Sequence, residues 1–278
     1  MKDVVTPVDF TFKKDGMLWD VDRESALLAF GGQRALFMQL AHPLVGQAVY
    51  EHSYFKENTV KRLKHTINLT YSLIFGTREE TLAAARKINQ AHKPVEGVLT
   101  ENVGEYLEGT RYDAKDPELT EWVWATLVDT ALIVRSKFIK PLTPVERETY
   151  YQEAKGLLPL LGGNPDTAPA TIDDFDEYMK DMLTNGKLVV SNQARELAPY
   201  LMLKNRSAAA RIFILPASKI AVGLLPEELR NQYGFTFSSW EQYMLDKTAD
   251  VSRKIHPYIP DRIRFSPFYL NAQKKMRK

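Results

Sequence analysis

With no cysteine in the chain, metal-ligand and acid–base chemistry falls first to its five histidines and its carboxylates. Three histidines lie in helical-looking segments: Gln39-Leu-Ala-His-Pro43, Arg62-Leu-Lys-His-Thr66, and Ala84-Ala-Arg-Lys-Ile-Asn-Gln-Ala-His92-Lys-Pro-Val-Glu-Gly97. In the third, Leu82, Ala85, Ile88 and His92 recur at steps of three, three and four, which places His92 on an apolar helix face. A neutral imidazole there can ligate haem iron if its other nitrogen donates to a carbonyl or carboxylate. It can equally be a core histidine satisfied by two hydrogen bonds. Pro94 ends or bends the helix at this point, since proline disfavours a helical conformation in Lys93 before it.

Arg62 and Thr66 share a face one turn apart, with His65 beside the threonine. Arg62 is suited to pairing a carboxylate in two-pronged fashion. His42 reads as part of a helix break, its imidazole bonding carbonyls that Pro43 leaves unpaired. Glu51, followed by His52, is a candidate acid or base, and His256 before Pro257 has no evident partner. Asp129 is the sole charge in the apolar stretch 122–134, so it requires a partner: the free nitrogen of His92, or Arg34, Arg86 or Arg135. Thr126 and Thr130 lie near it, and Trp122 and Trp124 read as core.

The absence of cysteine excludes disulfides, thiolate catalysis and iron–sulfur ligation, and any metal must bind through histidine or oxygen. Thirty-seven basic against thirty-five acidic residues give a formal charge of +2, too little to recruit nucleic acid. No Gly-rich nucleotide loop, Gly-x-Ser-x-Gly or His-Glu-x-x-His occurs, and the Glu-x-x-His of a di-iron bundle is missing. The first residues lack a secretory apolar run and no stretch is long enough to span a bilayer, so a cytoplasmic location is expected. The tail Lys274-Lys-Met-Arg-Lys278 offers at most peripheral contact with anionic lipid.

Helical periodicity dominates, and an all-α, single-domain orthogonal bundle of roughly ten helices over 1–278 is expected. Thr77-Arg-Glu-Glu80, Asp116-Pro117, Thr143-Pro-Val-Glu146 and Thr171-Ile-Asp-Asp174 mark helix starts, and Ser238 or Ser239 caps a late helix reaching about Ile255. Gly31-Gly32 is read as separating two early helices, with Pro43 interrupting the second. Residues 62–75 form a helix ended by Gly76, and 122–134 a buried central helix. Nine of the fifteen prolines fall after residue 156, so the second half should be more broken. Lys187-Leu-Val-Val190 is the best strand candidate.

The order of these segments resembles the bacterial DUF2236 family, which includes the haem-dependent rubber oxygenase (latex-clearing protein) and the MpaB-type oxygenases. The likeness covers about 22–183 and continues more weakly to 235 through Leu224-Leu-Pro-Glu-Glu-Leu-Arg230, leaving a C-terminal helix and basic tail in 236–278. It implies an internal pocket for haem b, with His92 as proximal ligand and Arg62 at a propionate or substrate. Thr66 and His65 would be distal, His65 standing where the rubber oxygenase has lysine and acting as a second axial ligand or a hydrogen-bond partner. Glu51 matches a distal acid or base, and Arg34, Thr126 and Asp129 fall to the cofactor's surroundings. The implied activity is that of an oxygenase using molecular oxygen on a hydrophobic small-molecule or lipid-like substrate, with the redox partner left open. The alternative is a non-catalytic helical protein binding haem or an apolar ligand. Polyisoprene does not suit a chain without an export signal.

Overall fold

Helix starts follow local capping chemistry closely in the computed structural model, which describes residues 9–53, 55–202 and 208–277, with the side chains of 55–57 and 208–214 outside that description. Helix α1 (Met17–Asp22) leads through a π-helical turn (Leu27–Gly31) directly into α2 (Gly32–Leu40). The glycine pair therefore does not separate two helices. A Cβ on Gly31 would come within 2.9 Å of Thr130, so this glycine permits close approach to the central helix. The break falls instead at Ala41-His42, after which Pro43 opens α3 (Pro43–His52). Helix α4 (Phe55–Phe75) carries a non-helical Asn58 whose side chain accepts from the Lys61 N–H, so its regular run starts beyond Asn58. Gly76 then turns the chain so tightly that a Cβ would meet Ser72 O at 2.3 Å, and the Thr77/Glu80 capping box opens α5 (Arg78–His92). Thr81 Oγ1 donates across this turn to the carbonyls of Ser72, Leu73 and Gly76.

The strands are β1 (Glu96–Val98) and β2 (Arg111–Asp113), an antiparallel pair with Gly97 opposite Tyr112. Residues 187–190 are extended but form no strand: the Val190 N–H donates to Gln232 Oε1 at 2.8 Å, a side chain doing the work of a ladder. Helix α6 (Pro117–Phe138) is the buried central helix, packed against α1, α2 and the π-helical turn. Around it lie α7 (Pro144–Lys155), α8 (Leu158–Leu161), α9 (Ile172–Thr184), α10 (Asn192–Leu201) and α11 (Ala208–Gly223). They are followed by α12 (Glu227–Gln232), α13 (Ser239–Ile255), α14 (Asp261–Arg264) and α15 (Pro267–Met276). Helical stretches exceed the ten expected because the second half is cut into pieces as short as α8 and α14. No helix among the described residues is long and apolar enough to cross a membrane.

Long-range bonds lock the bundle. Trp19 Nε1 donates to Ile74 O at 2.9 Å and Trp124 Nε1 to Ala154 O at 3.0 Å, joining α1 to α4 and α6 to α7. The C-terminal helix closes over the α4–α5 turn, with Phe268 stacked on Tyr71 and Lys275 Nζ on both Glu80 oxygens at 2.5 and 2.6 Å. His256 has a partner after all: its Nε2 lies 2.8 Å from Glu24 Oε2, and Arg135 and Arg264 approach the other oxygen at 3.5 and 3.4 Å. The partner comes from 232 positions away, beyond the reach of any local pattern.

Asp22, two residues before Glu24, is buried without a cation. One carboxyl oxygen has no partner, and burial pushes its pKa up to about 7 against a weaker downward pull from a Tyr150 hydrogen bond. The folded protein thus holds a proton on Asp22 that the unfolded chain releases near pH 4. Stability from this group is complete below pH 4 and is lost as pH rises toward 7. Asp22→Asn should raise stability at pH 7.5 relative to pH 4 by up to roughly 4 kcal/mol against the parent. Urea unfolding of both proteins at the two pH values measures this, and parallel pH dependence in the two would refute it.

Candidate functional site

Antiparallel packing of α4 on α5 brings Arg62 alongside His92. The buried face of α5 carries Thr81, Ala84 and Ala85, with Ile88 half-buried, whereas Leu82 is exposed. His92 ends this face, half-buried at the last helical residue. Lys93 keeps helical angles and the Val95 N–H donates to His92 O at 2.9 Å, so the chain leaves the helix at Pro94 rather than before it. Burial and then the Arg62 charge hold the imidazole pKa below its ordinary value, which keeps His92 neutral at pH 7. A neutral ring has a lone pair to offer a metal.

Arg62 is itself fixed. Its Nε donates to Ser53 Oγ at 3.2 Å and its Nη1 to Thr66 Oγ1, while Thr66 Oγ1 donates back to Arg62 O at 3.0 Å. Burial lowers the guanidinium pKa. The expected common face of Arg62 and Thr66 is therefore present. His65, by contrast, is exposed on α4.

Ser53 ends α3, and the residues just before it form a second polar group. Glu51 accepts from Gln47 Nε2 at 2.7 Å on one oxygen and from the Tyr112 hydroxyl on the other. Because that hydroxyl donates to Glu51, its oxygen accepts from His52 Nε2 at 3.1 Å, which assigns the His52 proton to Nε2. The chain extends outward through Thr100, whose hydroxyl donates to Gln47 Oε1 at 3.3 Å, and Gln193, which donates to Thr100 at 3.0 Å. Burial, then the hydrogen bond and charge of Glu51, push the Tyr112 pKa far up, so it stays a proton donor. Tyr112 owes its place to Gly97, where a Cβ would sit 2.5 Å from the hydroxyl. Sequence reading missed Tyr112, Gln47 and Ser53. A glycine at position 97 was their one local signal, since a missing side chain in a strand often marks a large group opposite.

Other expected site residues serve the framework. Arg34, 2% exposed, places Nη2 at 2.7 Å from Asp129 Oδ2, Nη1 at 2.6 Å from Thr130 Oγ1 and Nε at 2.9 Å from Leu224 O. Asp129 therefore pairs with Arg34 and not with the free nitrogen of His92. Thr126 Oγ1 donates to Val123 O at 2.7 Å and accepts from Gln39 Nε2 at 3.1 Å. All three expected cofactor contacts are engaged in tying α2 to α6. His42 is buried, its pKa pushed down to about 4 by burial and then Lys187. Its Nε2 lies 3.3 Å from Tyr106 Oη and its Nδ1 has no partner, so the imidazole bonds no freed carbonyl; the His42 carbonyl instead accepts the Gly46 N–H at 2.9 Å. Two cavities, along residues 9–15 and between α1 and Tyr269, are not lined by His92 or Arg62.

Comparison with known proteins places the chain in a family. Uncharacterized proteins of Mycobacterium bovis and Mycobacterium tuberculosis are each 27% identical to this chain over 234 residues, covering 82% of it and 88% of theirs. No solved structure is significantly similar. The family described as "ER-bound oxygenase mpaB/B'/Rubber oxygenase, catalytic domain" matches residues 19–254, a span that includes α2 to α12 and holds both polar groups described above. The chain belongs to this oxygenase family.

Proposed function

We propose that this protein is a haem b-dependent oxygenase acting on a hydrophobic small-molecule or lipid-like substrate with molecular oxygen. One observation carries the reading: within a chain of an oxygenase family, a half-buried imidazole whose pKa is held low lies within reach of the charge of a half-buried guanidinium on the α4–α5 hairpin. The donor set suits haem. Porphyrin nitrogens fill four positions of the iron and ask the protein for a single imidazole, and propionates ask for a cation. No group of three His, Asp or Glu side chains that could hold a bare metal ion occurs among the described residues.

His92 would hold the iron, and Arg62, steadied by Ser53 and Thr66, would hold a propionate. Haem, when bound, supplies the redox chemistry with oxygen that no side chain here provides. The remaining work belongs to the chain. Glu51 receives hydrogen bonds on both oxygens and serves as the proton acceptor of the site, and Tyr112 positions it while fixing the His52 proton on Nε2. Burial, with the Arg62 charge adding to it, holds the His92 pKa below its ordinary value and favours the neutral ring that can act as a ligand.

His92→Ala should cut haem from near one per chain to below about a tenth in a pyridine haemochrome assay, because a b-type haem loses its protein ligand. Helical circular dichroism should be unchanged, since the side chain is only half-buried at a helix end. Full haem retention would exclude His92 as the ligand. Glu51→Gln keeps the size of the side chain and removes the base. Oxygen uptake with hydrophobic substrates should drop on the order of a hundredfold or more while the Soret band and haem content stay at parental levels. Unimpaired turnover would remove Glu51 from the chemistry.

A further inference from the structure

Helix α13 is apolar on two opposite faces. Leu245 and Ala249 face the core against α6 and α11, and Ser252 Oγ on the same side donates to Phe138 O at 2.7 Å. Half a turn away, Trp240, Tyr243, Met244, Val251 and Ile255 are all exposed, and the row continues past the helix end through Tyr258, 85% exposed. Trp240, Met244, Val251 and Ile255 recur at steps of four, seven and four along one stripe, with Tyr243 one turn from Trp240 on its flank. Single exposed apolar residues need no explanation, but a row running the length of a seventeen-residue helix does.

Cations are set into the same row. Lys247 lies over the Tyr243 ring at 5.4 Å, Lys254 occupies the same angular sector, and Arg262 adjoins exposed Ile263 beyond the turn. Among the described residues none of the three has a carboxylate within ion-pair distance. The acidic residues of α13 are already engaged, Glu241 with Lys219 at 2.6 Å, Asp246 with Lys137 at 2.7 Å and Asp250 with Arg253, which leaves Asp261 beside Arg262 as a nearby carboxylate. The row thus carries apolar and unpaired positive side chains on one face. Lys275 of the basic tail is held by Glu80.

We propose that α13 and the turn after it dock on the surface of an anionic lipid bilayer. The composition matches that medium: stacked Trp240 and Tyr243, and Tyr258 at the far end, are side chains that settle at headgroup level. Met244, Val251 and Ile255 reach the acyl boundary, and Lys247 and Lys254 extend their ammonium groups to lipid phosphates. A protein partner fits less well, since lysines are depleted from the centre of protein interfaces. Docking rests on α13 alone and does not depend on the haem reading.

The protein reports on this face by its own fluorescence. Of its four tryptophans, Trp19, Trp122 and Trp124 are at most 1% exposed, whereas Trp240 is 66% exposed. Titration with phosphatidylcholine vesicles containing about one third phosphatidylglycerol, a composition that supplies the negative surface potential, should shift the emission to the blue and co-sediment the protein. Trp240→Phe should abolish the shift but leave co-sedimentation largely intact. Lys247→Glu with Lys254→Glu should weaken partitioning at least about tenfold, and Val251→Ser with Ile255→Ser should weaken it on a charge-retaining surface. All positions are exposed, and unchanged circular dichroism confirms intact folding. No shift and no sedimentation would overturn the proposal, as would equal binding to pure phosphatidylcholine. A blue shift that grows with protein concentration in the absence of vesicles would assign the row to a second copy of the chain instead.

Discussion

A permanently charged guanidinium sealed in the core sets the geometry of the bundle. Arg34 spends its N–H groups on Asp129, Thr130 and Leu224, so α2, α6 and the end of α11 meet at one point with one permitted rotation. Such a contact adds little net stability, because removing two charges from water costs several kcal/mol per ion. Its effect is on specificity. An apolar core tolerates helix rotation, whereas a buried ion with three directional partners does not. Gly31, pressed against Thr130 one turn earlier, keeps the helices close enough for those bonds to form.

The site residues stand away from this anchor, on elements that need less precision and more access. His92 sits where a helix stops, Glu51, His52 and Ser53 where another stops, and Tyr112 on a three-residue strand. Helix ends leave polar backbone and side chains near solvent. Hydrogen bonds supply the ordering that packing does not: Ser53 ties one polar group to the other through Arg62, and Gly97 makes room for the tyrosine that orients Glu51.

What the sequence disclosed divides by range. Capping boxes at Thr77, Thr143 and Thr171 are made by residues three apart, and each starts the helix expected of it. The buried α6, the Arg62–Thr66 face and the end of a helix at His92 likewise follow from periodicity and one proline. Asp129 demanded a cation, but three arginines qualified, and only tertiary geometry selects Arg34. The Glu51–Tyr112 bond spans 61 residues and the His256–Glu24 bond 232, so neither leaves a local pattern. The strands escaped notice because three residues are too few for alternation to show. His65 is exposed while Thr66 beside it is half-buried, since adjacent positions on a helix differ by 100°.

The grip of α15 on the α4–α5 turn bears on the order in which the molecule comes into being. During synthesis the hairpin carrying Arg62 and His92 leaves the ribosome long before Lys275 can clamp Glu80 or Phe268 can cover Tyr71. Until then the hairpin lacks its clasp, and short helices without tertiary partners are marginal in water. The clasp over the hairpin is therefore completed only once the last helix has been made.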